Sequence, residues 1–468
     1  MWFDVVFERF VEKSPCCVML RGTMEHLFAD SFLDSVFEQT AQVQYQKELA
    51  FSTVAALLSE VVLRVRPSLR NAYRERQGLP ATLKSVYEKL KNTEPAVCEA
   101  LLSQTAQRCA DLLTQLPGSA ATDPIAGLHL RIVDGNFLAG TDHRPLPLRG
   151  SGAAALPGMS VVLRDDRTGL LCQLLCREDA YSSERSLLDD VLAWVKADDL
   201  ILGDRNYCTL KFLKGIANRL GFYLIRHHQQ LHLRDKTRLR LLGKTDRGKV
   251  YEKRVWLGEA DDAPLCRCIV VKLDKPTRDG ETEVVLLSNV SKKKAKAIQL
   301  AELYLRRWRI EHSFQVLTDY LRCEVDTLAY PKAALLGFSL AVCAYNVMAV
   351  LQGALAAEVG KEKVEQELSA YEVAEEVAQD YSGLQIALPE QFWERFAQMS
   401  SAEMASWLRQ IARRLRWERY RKRKPTVKKP VVVQSTQRGA HRCTARELAE
   451  ARANRAKASS EKPSPSRC

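Results

Sequence analysis

The sequence predicts an α/β protein with helical regions at both ends, on three observations. Apolar residues recur at steps of three and four over residues 1 to about 120. The spacing becomes strand-like from Leu130, and helical spacing returns from about Lys292. The 468 residues hold material for about three domains, and 46% hydrophobic with 27% charged residues is the balance of a folded globular chain. A peptide hormone or a lone binding module is excluded.

In chain order, FLDSVFEQTAQ, TVAALLSEVVLRV and PAVCEALLSQTAQRCADLLTQL make a helical amino-terminal domain over residues 1–122, punctuated near Pro67, Pro80 and Pro95. LRIVDGNFLAG reads as a strand, and SVVLRDDRTGLLCQLLC as a hairpin turning at Asp166 to Gly169. A helix from about Glu184 to Lys196, a strand in DLILGDRN, a helix in TLKFLKGIANRL and a strand in FYLIRHH follow. Residues 228–290 are rich in strands and turns and read as a β insertion between this mixed sheet and a long helical run to about Leu321. The core domain is expected over 123–350, with carboxy-terminal helices over 351–420 and a basic, disordered tail over 421–468.

Lys+Arg 70 against Asp+Glu 57 gives a net charge of +13, which favours a polyanionic partner. Between Arg409 and Lys429 eleven basic residues face one acid, Glu418, with Trp417 and Tyr420 interleaved, a pattern suited to nucleic acid. Thirteen cysteines without paired spacing predict a reducing compartment, and the acids of MWFDVVFERF argue against an export signal. Residues 333–357 lack charge over 25 positions, enough to span a bilayer, but Ser339, Asn346 and Gln352 favour a buried helix and no membrane. The eight histidines form no metal-binding pattern, His227 and His228 reading as a strand end, and no phosphate-cradling G-x-x-x-x-G-K-[ST] is present.

Three acids stand out. Asp134 lies late in the strand IVDGN and Asp204 closes the strand LILGD, where α/β sheets commonly bind ligands; either alone reads better as a turn residue, and the third acid alters that balance. In YLRRWRIEHSF, Tyr304, Arg307 and Glu311 fall at i, i+3 and i+7, one stripe of a helix. Two aspartates and a glutamate are hard oxygen donors suited to a pair of Mg²⁺ or Mn²⁺ ions, and two such ions about 3.5 to 4 Å apart support phosphodiester displacement.

IVDGN, LILGDRNYC and YLRRWRIEHSF resemble the three acidic motifs of the insertion-sequence-4 family of bacterial DDE transposases. The resemblance spans roughly residues 125–350, and its most specific part is Tyr-x-x-Arg-x-x-x-Glu at Tyr304, Arg307 and Glu311; Thr318 stands where the signature has Lys. It implies a ribonuclease H-like sheet interrupted by a β insertion, with Asp134, Asp204 and Glu311 as catalytic ligands of two divalent ions. Tyr304 and Arg307 would hold the DNA backbone. Trp308 would either stack on a base at the transposon end or sit in the core, and Arg205 would either touch phosphate or pair with a catalytic acid. The implied partners are double-stranded DNA, as transposon end and target, and a second copy of the chain in a synaptic homodimer. The implied setting is the bacterial cytoplasm at the nucleoid. A nuclease of the same fold without strand transfer, and an inactive DNA-binding descendant, are the alternatives.

Overall fold

The computed structural model describes residues 2–44, 48–76, 78–79, 81–138, 145–149, 154–277, 280–325, 328–423 and 441–460. Its centre is a ten-stranded mixed sheet. The strands are β1 (His129–Phe137), β2 (Ala154–Leu156), β3 (Met159–Asp165), β4 (Leu171–Arg177), β5 (Asp199–Gly203), β6 (Phe222–Arg226), β7 (Leu233–Asp235), β8 (Arg240–Thr245), β9 (Gly248–Leu257), β10 (Leu265–Leu273), β11 (Glu283–Ser288) and β12 (His441–Cys443). The order in the main sheet is β4-β3-β1-β5-β6-β11-β10-β9-β7, with β8 also on β9, while β2 and β12 form a separate parallel pair. β4, β3 and β1 are antiparallel, and β1, β5 and β6 run parallel, an arrangement compatible with a ribonuclease H-like fold.

Side-chain alternation sorts this sheet into two faces. Leu130 and Ile132 of β1, Leu200 and Leu202 of β5 and Leu224 of β6 join the large core shared with the terminal helices. Val133, Ile201, Tyr223 and Ile225 face the opposite way, into a smaller core under the helices Leu188–Ala193 and Leu210–Asn218. Every residue of β5 is buried, as its parallel neighbours on both sides require.

The structure departs from the sequence-based expectations in four places. Residues 228–290 do not interrupt the sheet as a separate insertion: β11 pairs antiparallel with β6, so the added strands extend the core sheet. The helices at the two chain ends form one body around the helix Pro331–Val359. That helix packs on Pro15–Leu27, Phe51–Val62, Leu83–Asn92, Pro95–Thr114 and Ser401–Ala412, and Pro15–Leu27 also meets Ala370–Ala387 and Glu390–Ala397. A boundary at 122 or at 350 therefore divides a shared core, because a helix apolar on all sides needs neighbours all round. Of its most apolar window 94% is buried inside the protein, in accord with the buried-helix reading.

The third departure is the basic run. Arg409 and Arg413 pair with Glu358 at 2.6 and 2.8 Å, Arg414 with Glu8 at 2.7 Å, and Arg421 and Arg423 with Glu367 and Glu372 at 3.2 Å. These five arginines are matched by acids of other helices, which a count within the run could not reveal; positions 424–429 lie outside the described residues. Fourth, where a disordered tail was expected, β12 and the helix Thr444–Ser460 return to the sheet domain, with Arg446 on Asp179 at 2.9 Å. Residues 424–440 and 461–468 of that tail are outside the described set.

Asn346, fully buried in the long helix, accepts from the Leu171 N–H at 2.9 Å and donates to its carbonyl at 2.8 Å, fastening the first residue of β4. Asn346→Leu leaves both backbone groups unpaired in an apolar surrounding. We expect a loss of about 3 kcal/mol, read as a lower urea midpoint at unchanged slope; a midpoint equal to that of the parent would show that water replaces the amide.

Candidate active site

Asp134 shares the parity of Leu130 and Ile132 on β1 and so faces the helix Trp308–Asp319, which carries Glu311. That helix is seated by arginines on either side of Arg307: Arg306 and Arg309 grip the buried Asp166, in the β3–β4 turn, at 2.9 and 2.8 Å. Arg164 adds a 3.0 Å bond to Ser313 and a 2.9 Å bond to Tyr345. The expected single helix is broken by a 3-10 turn at Leu305–Arg307, which leaves Arg307 facing the opposite acids. Its guanidinium donates to Asp134 Oδ2 at 3.3 Å and to Glu311 Oε1 at 2.5 Å, so one cation holds two of the three expected acids.

Asp204 follows β5 directly. Its carboxylate caps the turn Arg205–Tyr207 by accepting the Asn206 N–H at 2.7 Å. Its charge reaches Asp134. Burial, which Arg307 opposes, and then the negative charges of Asp204 and Glu184 raise the Asp134 carboxyl to about 7. Asp134 and Glu311 thus meet through Arg307, and the charge of Asp204 acts on Asp134.

Glu184 is the site residue that sequence reasoning missed. It opens the 3-10 turn Glu184–Leu187, and its carboxylate lies where a Cβ on residue 135 would be, 2.4 Å from that position. The glycine beside Asp134 in IVDGN was the one available signal. Burial raises the Glu184 carboxyl, and Asp204 adds to the effect while Asn206 and Tyr207 oppose it.

The remaining expected residues divide. The Tyr304 hydroxyl donates to the Gly203 carbonyl at 3.4 Å, bracing the strand end before Asp204, and burial pushes it up to about 12. Burial works against the charge on Arg307, but Tyr304, Asp134 and Glu311 outweigh it and keep the guanidinium protonated. Trp308 is 57% exposed beside Arg307, whose guanidinium lies 5.6 Å from the ring centroid, so the core reading is excluded. Arg205 pairs with Glu281 at 3.0 Å, which also binds Arg226, and with none of Asp134, Asp204 and Glu311 among the described ion pairs. Thr318 is exposed and donates to the Phe314 carbonyl at 3.0 Å.

Among the described residues no group of three or more histidine, cysteine, aspartate or glutamate side chains is arranged to hold a metal ion. The donor chemistry nevertheless fits a hard divalent cation: Asp134, Asp204, Glu184 and Glu311 are all carboxylates, and Arg307 is the one cation bonded among them. Arg307 stands in for positive charge between Asp134 and Glu311.

The raised Asp134 carboxyl has a consequence for stability. The acid is neutral in folded and unfolded chains below about pH 4, the folded state is penalised increasingly between about 4 and about 7, and the penalty is full above that. We therefore expect Asp134→Asn to unfold at a higher urea concentration than the parent at about pH 8, by a few kcal/mol, and to converge on it as the pH falls to about 4. Parallel stability curves at all pH values would contradict the assignment.

No curated protein matches the chain. Residues 127–347, which include the ten-stranded sheet, the three acids, Glu184 and Arg307, match the family described as the transposase DDE domain, and this match supports a DDE transposase.

Proposed function

We propose that the chain is an insertion-sequence-4-type transposase that cuts transposon-end DNA and joins it to a target by divalent-metal-dependent phosphoryl transfer, on a ribonuclease H-like core. What supports this reading is the pairing of Asp134 and Glu311 through Arg307, with the charge of Asp204 acting on Asp134, inside the stretch that matches the transposase DDE domain. Asp134, Asp204 and Glu311 would hold two Mg²⁺ or Mn²⁺ ions, which supply an activated water or hydroxyl and neutralise charge on the leaving oxygen.

The chain's own residues do the positioning. Tyr304 braces the backbone before Asp204 through Gly203, and the Asp166 clamp on Arg306 and Arg309 sets the height of Glu311 against β1. Arg307 lies where a DNA phosphate would exchange for the carboxylates it now bonds. Trp308 offers an exposed ring for a base displaced at the cut. Arg205, held by Glu281, is left with a structural role in this reading. The substrates are double-stranded transposon-end and target DNA, the active form is a homodimeric synaptic complex, and the setting is the bacterial cytoplasm.

The test is cleavage and joining of DNA carrying the element's inverted repeats, with Mg²⁺. Asp134→Asn, Asp204→Asn and Glu311→Gln should each lower cleavage ~10³-fold or more, because an amide is a poor ligand for a hard cation and several kcal/mol of transition-state stabilisation are lost. DNA retention in a gel-shift assay should persist. Cleavage without joined products would indicate the nuclease alternative, and binding without metal-dependent cleavage the inactive descendant.

A further inference from the structure

Five arginines of the run from 409 to 423 are matched by acids, but a second basic stretch is not. Between Arg234 and Arg254, across β7, β8 and β9, nine lysines and arginines stand against three acids. Two of those acids are already engaged: the buried Glu252 holds Arg267 at 2.6 Å and Lys292 at 3.1 Å, and Asp235 holds Lys253 at 2.7 Å. The third, Asp246, is exposed in the turn between β8 and β9. Arg238, Arg240, Arg247, Lys249 and Arg254 are all exposed and make no ion pair among the described residues, except that Arg240 stands across from the occupied Glu252.

The strand register brings part of this charge to the end of the sheet at which Asp204 lies. β5 ends at Gly203, just before Asp204, and its parallel neighbour β6 ends at Arg226. β11 runs antiparallel to β6, so Glu283 lies beyond Arg226 at that same end; Lys272 stands opposite Glu283, Lys249 opposite Lys272, and Lys244 opposite Lys249. Three lysines thus lie side by side on one face across β8, β9 and β10, although like charges directly opposite one another are destabilising. Relief is partial. Lys244 reaches Asp274 at 2.9 Å, and Lys272 lies over the Tyr251 ring, 5.3 Å from its centroid. Lys249, between them, has no acid among the described residues, and Arg247 is exposed in the turn just before it. A row of cations kept together against their own repulsion is suited to an anion that spans them.

We propose that Lys244, Arg247, Lys249 and Lys272 form a phosphate-binding track that holds duplex DNA beyond the catalytic acids. The inference rests on the proposed transposase reading and extends it by an interaction surface on outer strands that carry none of those acids. β8 is the fifth strand from β5, roughly 24 Å away at about 4.8 Å per strand, a span that a straight duplex covers in about seven base pairs at 3.4 Å each. Contacts to phosphate set the position and direction of a duplex without reading its bases, so the track serves DNA of any sequence. Leu241 and Leu242 are exposed on β8, which makes an anionic membrane the rival occupant. The alignment of the lysine row with the end of the sheet that bears Asp204 favours DNA.

The experiment measures binding of the full-length protein to a random-sequence duplex of about 40 base pairs by fluorescence anisotropy, between about 50 and 200 mM salt. A variant combining Arg247→Gln, Lys249→Gln and Lys272→Gln should lower the slope of log affinity against log salt by about 2 to 3, at about 0.9 per phosphate contact, and weaken binding at the low-salt end at least ~10-fold. Its thermal midpoint should match or exceed that of the parent, since exposed, mutually repelling charges are removed. Should the triple variant unfold, Lys249→Gln alone should still lower the slope by about 0.9. Arg413→Gln with Arg423→Gln, taken from the matched run, should keep the parental slope. On transposon-end duplexes trimmed to leave fewer than about five base pairs on each side of the cut, parent and triple variant should give equal slopes. Equal slopes on the long duplex overturn the proposal, and loss of binding to phosphatidylserine vesicles with unchanged DNA slopes would assign the face to a membrane instead. If Asp204→Asn abolishes cleavage while the triple variant binds like the parent, the transposase reading stands and the track falls. If the slope drops but the parent cleaves no DNA, the track stands and the transposase reading falls.

Discussion

The helix Pro331–Val359 has no side to give to water, and much of the architecture follows from covering it. One partner surface is β4, fastened by Asn346, and the others are helices drawn from both ends of the chain. Burying apolar area on this scale is the main favourable term available to the fold. The same helix supplies Tyr345, which helps Arg164 hold Ser313 on the helix of Glu311. The enclosing helices and the sheet are thus mechanically one: the helix that most needs shelter also anchors the helix that carries Glu311.

Against that rigid frame the site is electrostatically unfavourable. Two carboxylates share one arginine, and with the charges of Asp204 and Glu184 acting on it the buried Asp134 carboxyl rises to about 7. Such tension is common where a fold is built to receive a ligand of opposite charge. Arg307 is both part of the solution and a competitor, because the bonds it makes to Asp134 and Glu311 must yield for a cation to use the same oxygens.

The parts of this site readable in the sequence were those with local patterning. Asp134 lies late in a strand of branched apolar residues, Asp204 follows another, and Glu311 stands four residues beyond Arg307, so each could be singled out, and the resemblance to the three acidic motifs supplied their roles. Glu184 was silent because it lies among the serines and acids of SSERSLLDD, where a carboxylate usually means a turn or a cap. The same limit hid the pairing of β11 with β6, the merging of the two terminal helical regions and the acids that neutralise Arg409 to Arg423. Each of these depends on partners distant in sequence, which neither periodicity nor composition encodes.

The long reach of the helical body bears on how the protein is made. Cys17 donates its backbone N–H to Glu376, 359 positions later, and the helix Pro15–Leu27 rests against helices that leave the ribosome long after it does. At roughly 5–20 residues per second, that segment waits on the order of 20–70 s for its neighbours. During that interval its apolar face is open to chaperones or to another nascent chain. A product truncated before residue 370 would lack those partners, so the helices beyond it act as a late check on the folding of the segments made first.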